Sequence, residues 1–447
     1  MRKLFGTDGV RGLYGCELTD DLAFLLGKYG TMVLAKEKDH PKILIGRDTR
    51  ASGEALEEAL IAGIQASGGQ AVSLGVVPTP AVALLTKSLD AHAGIVISAS
   101  HNTSEYNGIK FFNHYGFKLP DETEKEIETL IFNDLDQNRI SFKKTSPQLL
   151  ENAPSLYTDT LLAHIEPDLE GQRIVLDCAN GALYDIAPKV FESLGASVLT
   201  LGGQPDGKNI NEQCGSTHMQ RLKKHVVDHE ADFGFAFDGD ADRCLAVDNK
   251  GRLVDGDKIL YLLGKSLKKE NKLGKDTLVI TVMSNLGLHK AANHEEINLE
   301  ITQVGDRYVL ENMLENGCNL GGEQSGHIIY LDYNTTGDGL MTSLLLSKLI
   351  VDSQKPLSEL SAEMEVFPQV LKNARVRNDK KYHYMDHPEI CKKIEEIESQ
   401  FHENGRVLIR PSGTEPLVRV MIEGEDQKEL DHIATSLASF IEERLNV

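Results

Sequence analysis

A small group of chemically active side chains follows an apolar run near residue 100. Residues 95–97 have the pattern of a buried strand, and Ser100 follows in the turn-forming stretch SASHN. Open α/β sheets bind ligands at the carboxyl ends of buried strands. Lys110 lies on a second predicted strand, residues 109–112, after an Asn-Gly pair at 107–108 that favours a tight turn. The spacing presents one hydroxyl with a cation nearby, although an ordinary Ser/Asn turn would have the same sequence.

A second group consists of three alternating aspartates, Asp238, Asp240 and Asp242, which follow the apolar run 233–237. Carboxylates at alternate positions can converge on one point when the backbone is looped. Oxygen ligands at this density suit Mg²⁺ or Mn²⁺. An EF-hand is excluded, because Arg243 stands at the sixth position, where that loop needs glycine. A solvated acidic turn is the alternative, but a cation held by three protein ligands keeps positions open for a phosphate oxygen.

Two further loops have the composition of a sugar-phosphate site. The glycine-rich segment GGEQSGH (321–327) carries Glu323, Ser325 and His327, which together can bind vicinal hydroxyls or an amine. The segment RPSGTEPLVR (410–419) places hydroxyls and free amides between two arginines. Arginine forks match phosphate in a bidentate manner. A simple surface turn is the alternative for each loop.

The composition restricts the function further. A length of 447 residues predicts about three domains, with two to four plausible. The net charge of −21 argues against a general nucleic-acid or anionic-membrane surface, so an anionic substrate needs a local basic cluster. Six cysteines without a CxxC pair, and no secretory signal at the first residues, predict reduced thiols in a cytoplasm. No apolar run reaches transmembrane length, and neither a complete Walker A motif nor a GxGxxG after a strand occurs.

Three similar units are predicted to position these loops. Each reads as strand, polar turn, helix and strand, and they begin at KILIG (42–46), RIVLDCANG (173–181) and TLVITVMSN (277–285). The pattern predicts an α/β protein with three α/β sandwich domains, mixed or parallel sheets, and a smaller C-terminal α+β domain. Turn-rich stretches give the boundaries, so the predicted domains are 1–150, 151–255, 256–368 and 369–447.

Local signals predict several individual elements. The segment FGTDGVRG (5–12) is predicted as a shaped loop that exposes backbone amides and one guanidinium. A helix is predicted from Asp20 to Ala35 with Thr19 at its cap. In the C-terminal part, helices are predicted over 388–401 and 427–445.

Four motifs, in this order along the chain, resemble the α-D-phosphohexomutase superfamily: SASHN with its NGxK, DGDADR, GEQSGH and RPSGTEP. The resemblance spans the whole chain and implies four domains around a central cleft. Within the superfamily, FGTDGVRG, GGEQSGH and TTGDGL (335–340) make it most similar to the bacterial members that act on glucosamine phosphates. One departure is Thr103, where the loop after SASHN commonly continues with proline. Proline would pre-set the loop backbone, so the departure concerns the rigidity of the loop and not the hydroxyl of Ser100.

The resemblance implies a role for each motif residue. Ser100 would carry the phosphoryl group, and one Mg²⁺ per chain would be bound by Ser100, Asp238, Asp240 and Asp242. The implied catalytic set is Ser100, His101, Lys110, Arg11 and Arg243, with Lys110 and His101 as candidates for proton transfer. The implied substrate-binding set is Glu323, Ser325 and His327 for the sugar, and Arg410, Ser412, Gly413, Thr414 and Arg419 for the phosphate that is not reacting.

The implied activity is an isomerase reaction. Phosphoserine donates to O1 of glucosamine 6-phosphate, and the 6-phosphoryl group of the resulting 1,6-bisphosphate returns to Ser100. Glucosamine 1,6-bisphosphate or a similar compound serves as intermediate and activator, and the product feeds UDP-N-acetylglucosamine and cell-wall synthesis. The implied partner is a small phosphosugar, without nucleic acid or membrane, and a homodimer is compatible with the resemblance. Three alternatives stay open: the same chemistry on glucose or mannose phosphates, a metal-dependent sugar phosphatase, and a non-catalytic sugar-phosphate sensor.

Overall fold

The computed structural model describes residues 4–6, 8–36, 38–135, 142–143, 145, 148–401, 404–412 and 415–446. The chain divides into two compact units. The first comprises Met1–Thr281 and Ile297–Ala362, and the second comprises Val282–Glu296 and Glu363–Val447. All six cysteines are free. Within the described residues, no helix has the length and apolar character needed to span a membrane.

The first part of the first unit is built around a mixed sheet. Its elements are β1 (Val10–Leu13), α1 (Asp20–Leu34), β2 (Lys42–Arg47), α2 (Ser52–Ala66), β3 (Gln70–Val76), α3 (Thr79–Ser88), β4 (Ala93–Ile97), β5 (Tyr106–Asn113), α4 (Asp121–Leu135) and β6 (Gln148–Leu149). The strand order is β1-β5-β4-β2-β3-β6, and β5 runs antiparallel to both of its neighbours. The predicted helix α1 is confirmed, and the Thr19 hydroxyl accepts a hydrogen bond from the Leu22 amide at 3.2 Å.

A second mixed sheet follows in the same unit. Its elements are α5 (Ala153–Leu162), β7 (Arg173–Asp177), α6 (Ile186–Ser193), β8 (Ser197–Leu201), α7 (Gln220–Asp228), β9 (Phe233–Phe237), β10 (Cys244–Asp248) and β11 (Leu253–Val254). The strand order is β11-β10-β9-β7-β8. Strand β7 is parallel to β8 and β9, whereas β10 is antiparallel to β9.

The third sheet has the order β13-β12-β14-β15, in which only the β14–β15 pair is antiparallel. The elements of this region are α8 (Gly256–Lys269), β12 (Thr277–Thr281), α9 (Leu286–His294), β13 (Asn298–Thr302), α10 (Asp306–Asn316), β14 (Leu320–Gly322), β15 (Ile328–Tyr330), α11 (Gly339–Ser353) and α12 (Leu357–Leu360). Helix α9 is part of the second compact unit, unlike the strands that it connects.

The three sheets share one connectivity, which confirms the predicted repeat and extends it. In each, two parallel strands are joined by a helix, as predicted, by α2, α6 and α9 respectively. A second helix then leads to a third parallel strand beside the first, and an antiparallel strand returns next to it. The repeated unit is therefore β-α-β-α-β-β, longer than the strand-helix-strand pattern that the sequence predicted.

The second unit contains an antiparallel sheet, β16-β18-β17. Its remaining elements are β16 (Gln369–Arg375), α13 (Pro388–Phe401), β17 (Arg406–Pro411), β18 (Leu417–Glu423) and α14 (Gln427–Leu445). Alternate residues Val418, Val420 and Ile422 of β18 are buried in one cluster with Leu437 and Ile441 of α14. The two predicted helices and the α+β class of this region are confirmed.

Two local predictions are wrong. Asn107 and Gly108, predicted as a turn, lie inside β5. The Asn107 amide donates to the Ser52 hydroxyl at 2.9 Å, and a side chain at Gly108 would lie 2.5 Å from the Ser98 carbonyl oxygen. The glycine thus allows a close approach of two backbones instead of a turn.

The N-terminal segment is also more regular than predicted. Instead of a loop throughout, residues 10–13 form β1 and pair with β5. Gly9 has φ +80°, and a Cβ there would lie 2.3 Å from the Ile109 carbonyl oxygen, so only glycine fits. Thr7 lies outside the described residues.

Candidate active site

Three of the four motif loops occupy the same position in the repeated unit. Residues 98–105 connect β4 to β5, residues 238–243 connect β9 to β10, and residues 323–327 connect β14 to β15. Each loop follows the third parallel strand and precedes the antiparallel one. Ligands bind at the carboxyl ends of such strands. The repeat therefore explains why all three loops carry polar and charged side chains that could contact a ligand.

Ser100 is buried in the first of these loops, with 2% of the residue exposed. Its φ angle is +52°, a left-handed backbone conformation that is uncommon for residues other than glycine. The Ser100 hydroxyl donates to Oδ2 of Asp238 at 2.7 Å and lies 3.4 Å from Nδ1 of His101. Because the backbone at Ser100 is left-handed and not extended, the side chains of the neighbours Ser100 and His101 lie close together.

The three aspartates converge as their spacing predicts. One oxygen from each of Asp238, Asp240 and Asp242 lies within 4.8 Å of the others, and each residue is at least 96% buried. The turn between them uses a positive φ of +56° at Ala241. Thr79, at the start of α3, donates its hydroxyl to Asp240 at 2.6 Å and fixes that carboxylate.

The carboxylate oxygens of the three aspartates suit a divalent cation. No described residue donates a hydrogen bond to the buried Oδ1 atoms of Asp240 and Asp242, and such orphaned acceptors are costly. Burial, followed by the charges of Asp242 and Asp240, raises the pKa of Asp238 well above its usual range. Three convergent carboxylates, two of which have an oxygen without a described partner, are the ligands that Mg²⁺ takes.

Lys110 lies beside the triad and is paired on several sides. Its ammonium is 2.8 Å from Asp240, 3.4 Å from Asp242 and 2.8 Å from Asp8. Burial opposes the charge, but these carboxylates raise the pKa of Lys110 well above its ordinary value. Lys110 is therefore a fixed cation here, and its role in proton transfer stays a prediction.

The other predicted catalytic side chains surround the same point. Arg11 donates to Asn102 at 3.3 Å and pairs with Asp8 at 3.2 Å. The guanidinium Nε of Arg243 lies 3.8 Å from Asp242. Burial and then the cations Arg243 and Arg11 lower the pKa of His101, which keeps its ring neutral near pH 7. The structure therefore brings together all five predicted catalytic residues and the triad.

The predicted side chains of the GEQSGH loop differ in exposure. Glu323 and Ser325 are partly exposed, and the Glu323 carboxylate accepts from the Gly305 amide at 3.0 Å. His327 is 2% exposed and lies between two carboxylates, 3.6 Å from Asp242 and 3.4 Å from Asp306. Burial alone would lower the pKa of His327, but these two carboxylates raise it. This histidine is packed beside the triad rather than on an open surface with Glu323.

The fourth motif belongs to the second unit. Arg410 and Arg419 are cross-strand neighbours on β17 and β18, and Arg419 lies 3.5 Å from Glu415. Burial, with the adjacent Arg419, lowers the pKa of Arg410. Ser412 is 4% exposed, and its hydroxyl accepts from the Glu415 amide at 3.2 Å. Gly413 and Thr414 lie outside the described residues.

Family models match nearly the whole chain. They describe the phosphoglucomutase/phosphomannomutase α/β/α domains I, II and III and the C-terminal domain, and they match residues 2–138, 155–251, 255–367 and 371–439. The chain belongs to the phosphoglucomutase/phosphomannomutase family. The predicted superfamily is thereby confirmed.

Relatives within this family cover the full length. Phosphoglucosamine mutase of Clostridioides difficile is 54% identical over 449 residues, which are 100% of both chains. Phosphoglucosamine mutase of Caldicellulosiruptor saccharolyticus is 55% identical over 459 residues, also 100% of both.

Solved structures of the family share the fold. A Burkholderia thailandensis family member has a TM-score of 0.79 at 23% identity, covering 98% of each chain. Aspergillus fumigatus N-acetylphosphoglucosamine mutase, solved in complex with GlcNAc-6P and magnesium, has a TM-score of 0.69 at 17% identity, covering 100% of this chain and 96% of that one. The predicted fold class is confirmed.

The sequence motifs did not indicate several polar residues that lie beside the site in this family member. Lys118 pairs with Asp306 and, at 2.6 Å, with Asp8, next to Lys110. Thr79 supports Asp240. One signal was available for Asp306 and Thr79, because each opens a helix that begins shortly after a predicted strand that ends at a glycine. Lys118 had no such signal.

Proposed function

We propose that the chain is a phosphoglucosamine mutase, an isomerase that interconverts glucosamine 6-phosphate and glucosamine 1-phosphate. The observation that supports it most directly is the Ser100 hydroxyl, buried on a strained turn and 2.7 Å from a carboxylate of the triad. The full-length relatives at 54–55% identity carry this name. The chemistry needs a phosphoryl carrier held against a metal site, and these residues provide both.

Ser100 carries the phosphoryl group in this proposal. It donates to O1 of glucosamine 6-phosphate, and after the bisphosphate turns over, the 6-phosphoryl group returns to the Ser100 oxygen. His101, neutral beside the hydroxyl, can accept the proton that the sugar oxygen loses, whereas the charged Lys110 can only donate one. Arg11, Lys110 and Arg243 supply the positive charge that the equatorial phosphoryl oxygens need.

Asp238, Asp240 and Asp242, with the phosphorylated Ser100, are the proposed ligands of one Mg²⁺ per chain. When bound, this ion neutralises charge on the phosphoryl oxygens and orients them for in-line transfer. Lys110 keeps Asp240 and Asp242 in place from one side, so the carboxylates are held before a metal binds.

Substrate recognition is divided between two loops in the proposal. Glu323 and Ser325 bind the sugar hydroxyls or amine, while Arg410, Ser412, Gly413, Thr414 and Arg419 bind the phosphate that is not reacting. A sugar 1,6-bisphosphate is the proposed activator. We place the reaction in the cytoplasm, ahead of UDP-N-acetylglucosamine synthesis. A homodimer stays a prediction that the mass of the protein in solution tests.

A substrate panel tests this function against its alternatives. The purified protein is given glucosamine, glucose and mannose 6-phosphates with a sugar 1,6-bisphosphate, and both the 1-phosphate product and free phosphate are measured. The highest kcat/KM on glucosamine 6-phosphate with little free phosphate supports the proposal. A preference for glucose or mannose phosphate would identify the related mutase activity, stoichiometric phosphate release a phosphatase, and binding without turnover a sensor.

A further inference from the structure

The loop that carries Ser100 is held by a buried arginine that the reaction itself does not use. Arg50 is 1% exposed and lies just after β2. Its guanidinium donates to the carbonyl oxygens of Ser100 at 3.1 Å, Asn102 at 2.8 Å and Tyr106 at 3.0 Å, and to that of Thr103. One side chain thereby binds the backbone from Ser100 to Tyr106, the first residue of β5.

The charge of Arg50 is neutralised by Asp48, which extends the same network. Arg50 Nε donates to the Asp48 carboxylate at 2.8 Å, and that carboxylate accepts from the Ser98 hydroxyl at 2.6 Å. The Ser98 hydroxyl in turn accepts from the Ser100 amide at 2.9 Å. The carbonyl of Ser100 is therefore bound directly to this buried ion pair, and its amide is linked to the pair through the Ser98 hydroxyl.

A second contact comes from a distant part of the first unit. Asn211, 3% exposed in the segment between β8 and α7, donates through its amide nitrogen to the Ser100 and Asn102 carbonyls, each at 2.8 Å. Its own φ is +59°, and its backbone amide is bound to the Ala179 carbonyl at 2.9 Å. The Ser100 carbonyl thus accepts from two side chains that are far apart in sequence.

We propose that Arg50 and Asn211 are positioning residues for the phosphoryl carrier. They hold Ser100 at its strained φ of +52°, which points its oxygen at the triad. Neither touches the hydroxyl, so they act through the loop backbone. They also replace the stiffness that a proline at Thr103 would give. The inference rests on the proposed role of Ser100 as carrier.

The hydrogen bonds to the loop require an arginine at position 50. The planar guanidinium offers five donors in a fixed fork, which four loop carbonyls and Asp48 take up here. A lysine keeps the charge but has three donors on one atom, and it cannot reach these acceptors together. Arg50→Lys should leave the ion pair with Asp48 and release part of the loop.

The test compares Arg50→Lys and Asn211→Gly with Arg47→Lys, in the full-length protein. Glycine suits position 211 because it adopts the positive φ without strain. Arg47 is the matched control, since it lies on the same segment but pairs with Glu54 and Glu57, each at 3.1 Å. We measure kcat and KM separately for glucosamine 6-phosphate, and amide hydrogen exchange over residues 98–106.

We expect kcat to fall about 100-fold in both loop variants, with KM within about 3-fold, because misplacing a reacting group costs turnover more than binding. Exchange over residues 98–106 should accelerate in both and stay unchanged in the control. If Arg50→Lys does not fold, Asn211→Gly decides. Normal kcat in a folded loop variant, or unchanged loop exchange, overturns the inference. An inactive wild type contradicts the proposed function instead, and the exchange measurement then decides the positioning role alone.

Discussion

The Ser100 centre and the C-terminal RPSGTEP loop treat charge in opposite ways. At the Ser100 centre, carboxylates and cations are buried together, and Lys110 alone contacts three aspartates. In the second unit, two arginines face each other across a strand pair, and the carboxylate described near Arg419 is the exposed Glu415 at 3.5 Å. Like charges directly opposite each other destabilise a sheet.

The difference reflects when each charge is neutralised. A group that reacts must be in place beforehand, because preorganised dipoles and charges cost no rearrangement at the moment of transfer. A group that only binds an anion gains more when its positive charge has no internal partner, since it does not have to break an ion pair first. In the proposed function the Ser100 centre follows the first rule. The Arg410–Arg419 pair approaches the second, since the contact of Arg419 with Glu415 is 3.5 Å long and that glutamate is exposed.

The largest expected effect comes from removing the carrier itself. Ser100→Ala should lower kcat by at least about 10⁴-fold, as removal of a nucleophile does in covalent catalysis. Intact mass should lose any species heavier by about 80 Da, the mass of one phosphoryl group. Ser104→Ala removes another hydroxyl of the same loop and should keep both properties. Near-normal turnover of Ser100→Ala would show that the buried centre does not carry the phosphoryl group.

Removing one negative charge from the triad should have the next largest effect. Asp240→Asn keeps the shape, and Lys110 remains paired with Asp8 and Asp242, so the protein should fold. We expect a loss of about 10²–10³-fold in kcat, because the metal loses a charged ligand. Mg²⁺ should also stabilise the wild type against unfolding, by about 2.7 kcal/mol at 100 times its Kd, and should stabilise the variant less.

Asp228→Asn is the control for this change, since it removes the same charge from an aspartate on α7 that pairs with Lys224. Its Mg²⁺ response should match the wild type. Equal stabilisation of wild type and Asp240→Asn by Mg²⁺, or full activity in excess chelator, would mean that the triad is not the metal site.

Much of this arrangement could be predicted because its signals are local. The strand-helix-strand units and the bounds of α13 and α14 follow from apolar periodicity and capping residues. The convergence of Asp238, Asp240 and Asp242 follows from their alternate spacing in a short loop. In each case the residues that determine the structure lie within one turn or one element of each other.

The remainder depends on contacts between distant segments. Asn107 and Gly108 lie in a strand because the Ser98 backbone passes within reach of Gly108, which a dipeptide preference cannot show. The Arg50 contacts bridge about 50 residues, and the Asn211 contact to Ser100 bridges 111. His327, predicted as a sugar ligand with Glu323, also lies between two carboxylates from outside its own loop, and the GEQSGH motif does not indicate these contacts.

A smaller effect distinguishes phosphate binding from sugar recognition. Arg419→Ala should lower kcat/KM for glucosamine and glucose 6-phosphates alike, by about 10–100-fold, the worth of one charge-assisted hydrogen bond. Glu323→Gln and Gln324→Met should instead change the ratio of the two values by about 10-fold or more, because a lost polar partner alters discrimination. The measurement is kcat/KM for both sugars in each variant.

Arg444→Ala is the control for Arg419→Ala, since it removes a cation of the same unit that pairs with Glu389. It should leave both substrates unaffected. The opposite result would be a changed ratio of the two kcat/KM values in Arg419→Ala and an unchanged ratio in Glu323→Gln and Gln324→Met. It would show that the C-terminal arginines recognise the sugar and are not a simple anion site.

The smallest expected effect is a loss of stability of the second unit at low pH, through the neutral side chain of His289. His289 on α9 is partly buried, its Nε2 has no hydrogen-bond partner among the described residues, and Arg406 lies nearby. Burial and that arginine lower the pKa of His289 to about 4. Its unfolded pKa is about 6.5, so the unfolded chain binds more protons between these values. The stability that neutral His289 contributes is fully present above pH 6.5 and is lost as the pH falls towards 4.

The loss should be about 1–2 kcal/mol, below the full linkage value because solvent screens the partly exposed ring. His289→Gln cannot gain a proton, so its second unit should lose less stability over that range. His294→Gln, on the exposed end of the same helix, should behave as the wild type. The measurement is amide exchange over β16–β18 at pH 6.5 and 4.5, corrected for intrinsic rates. If all three proteins lose protection equally, Arg406 does not act on His289, and the acid sensitivity of this unit comes from its carboxylates.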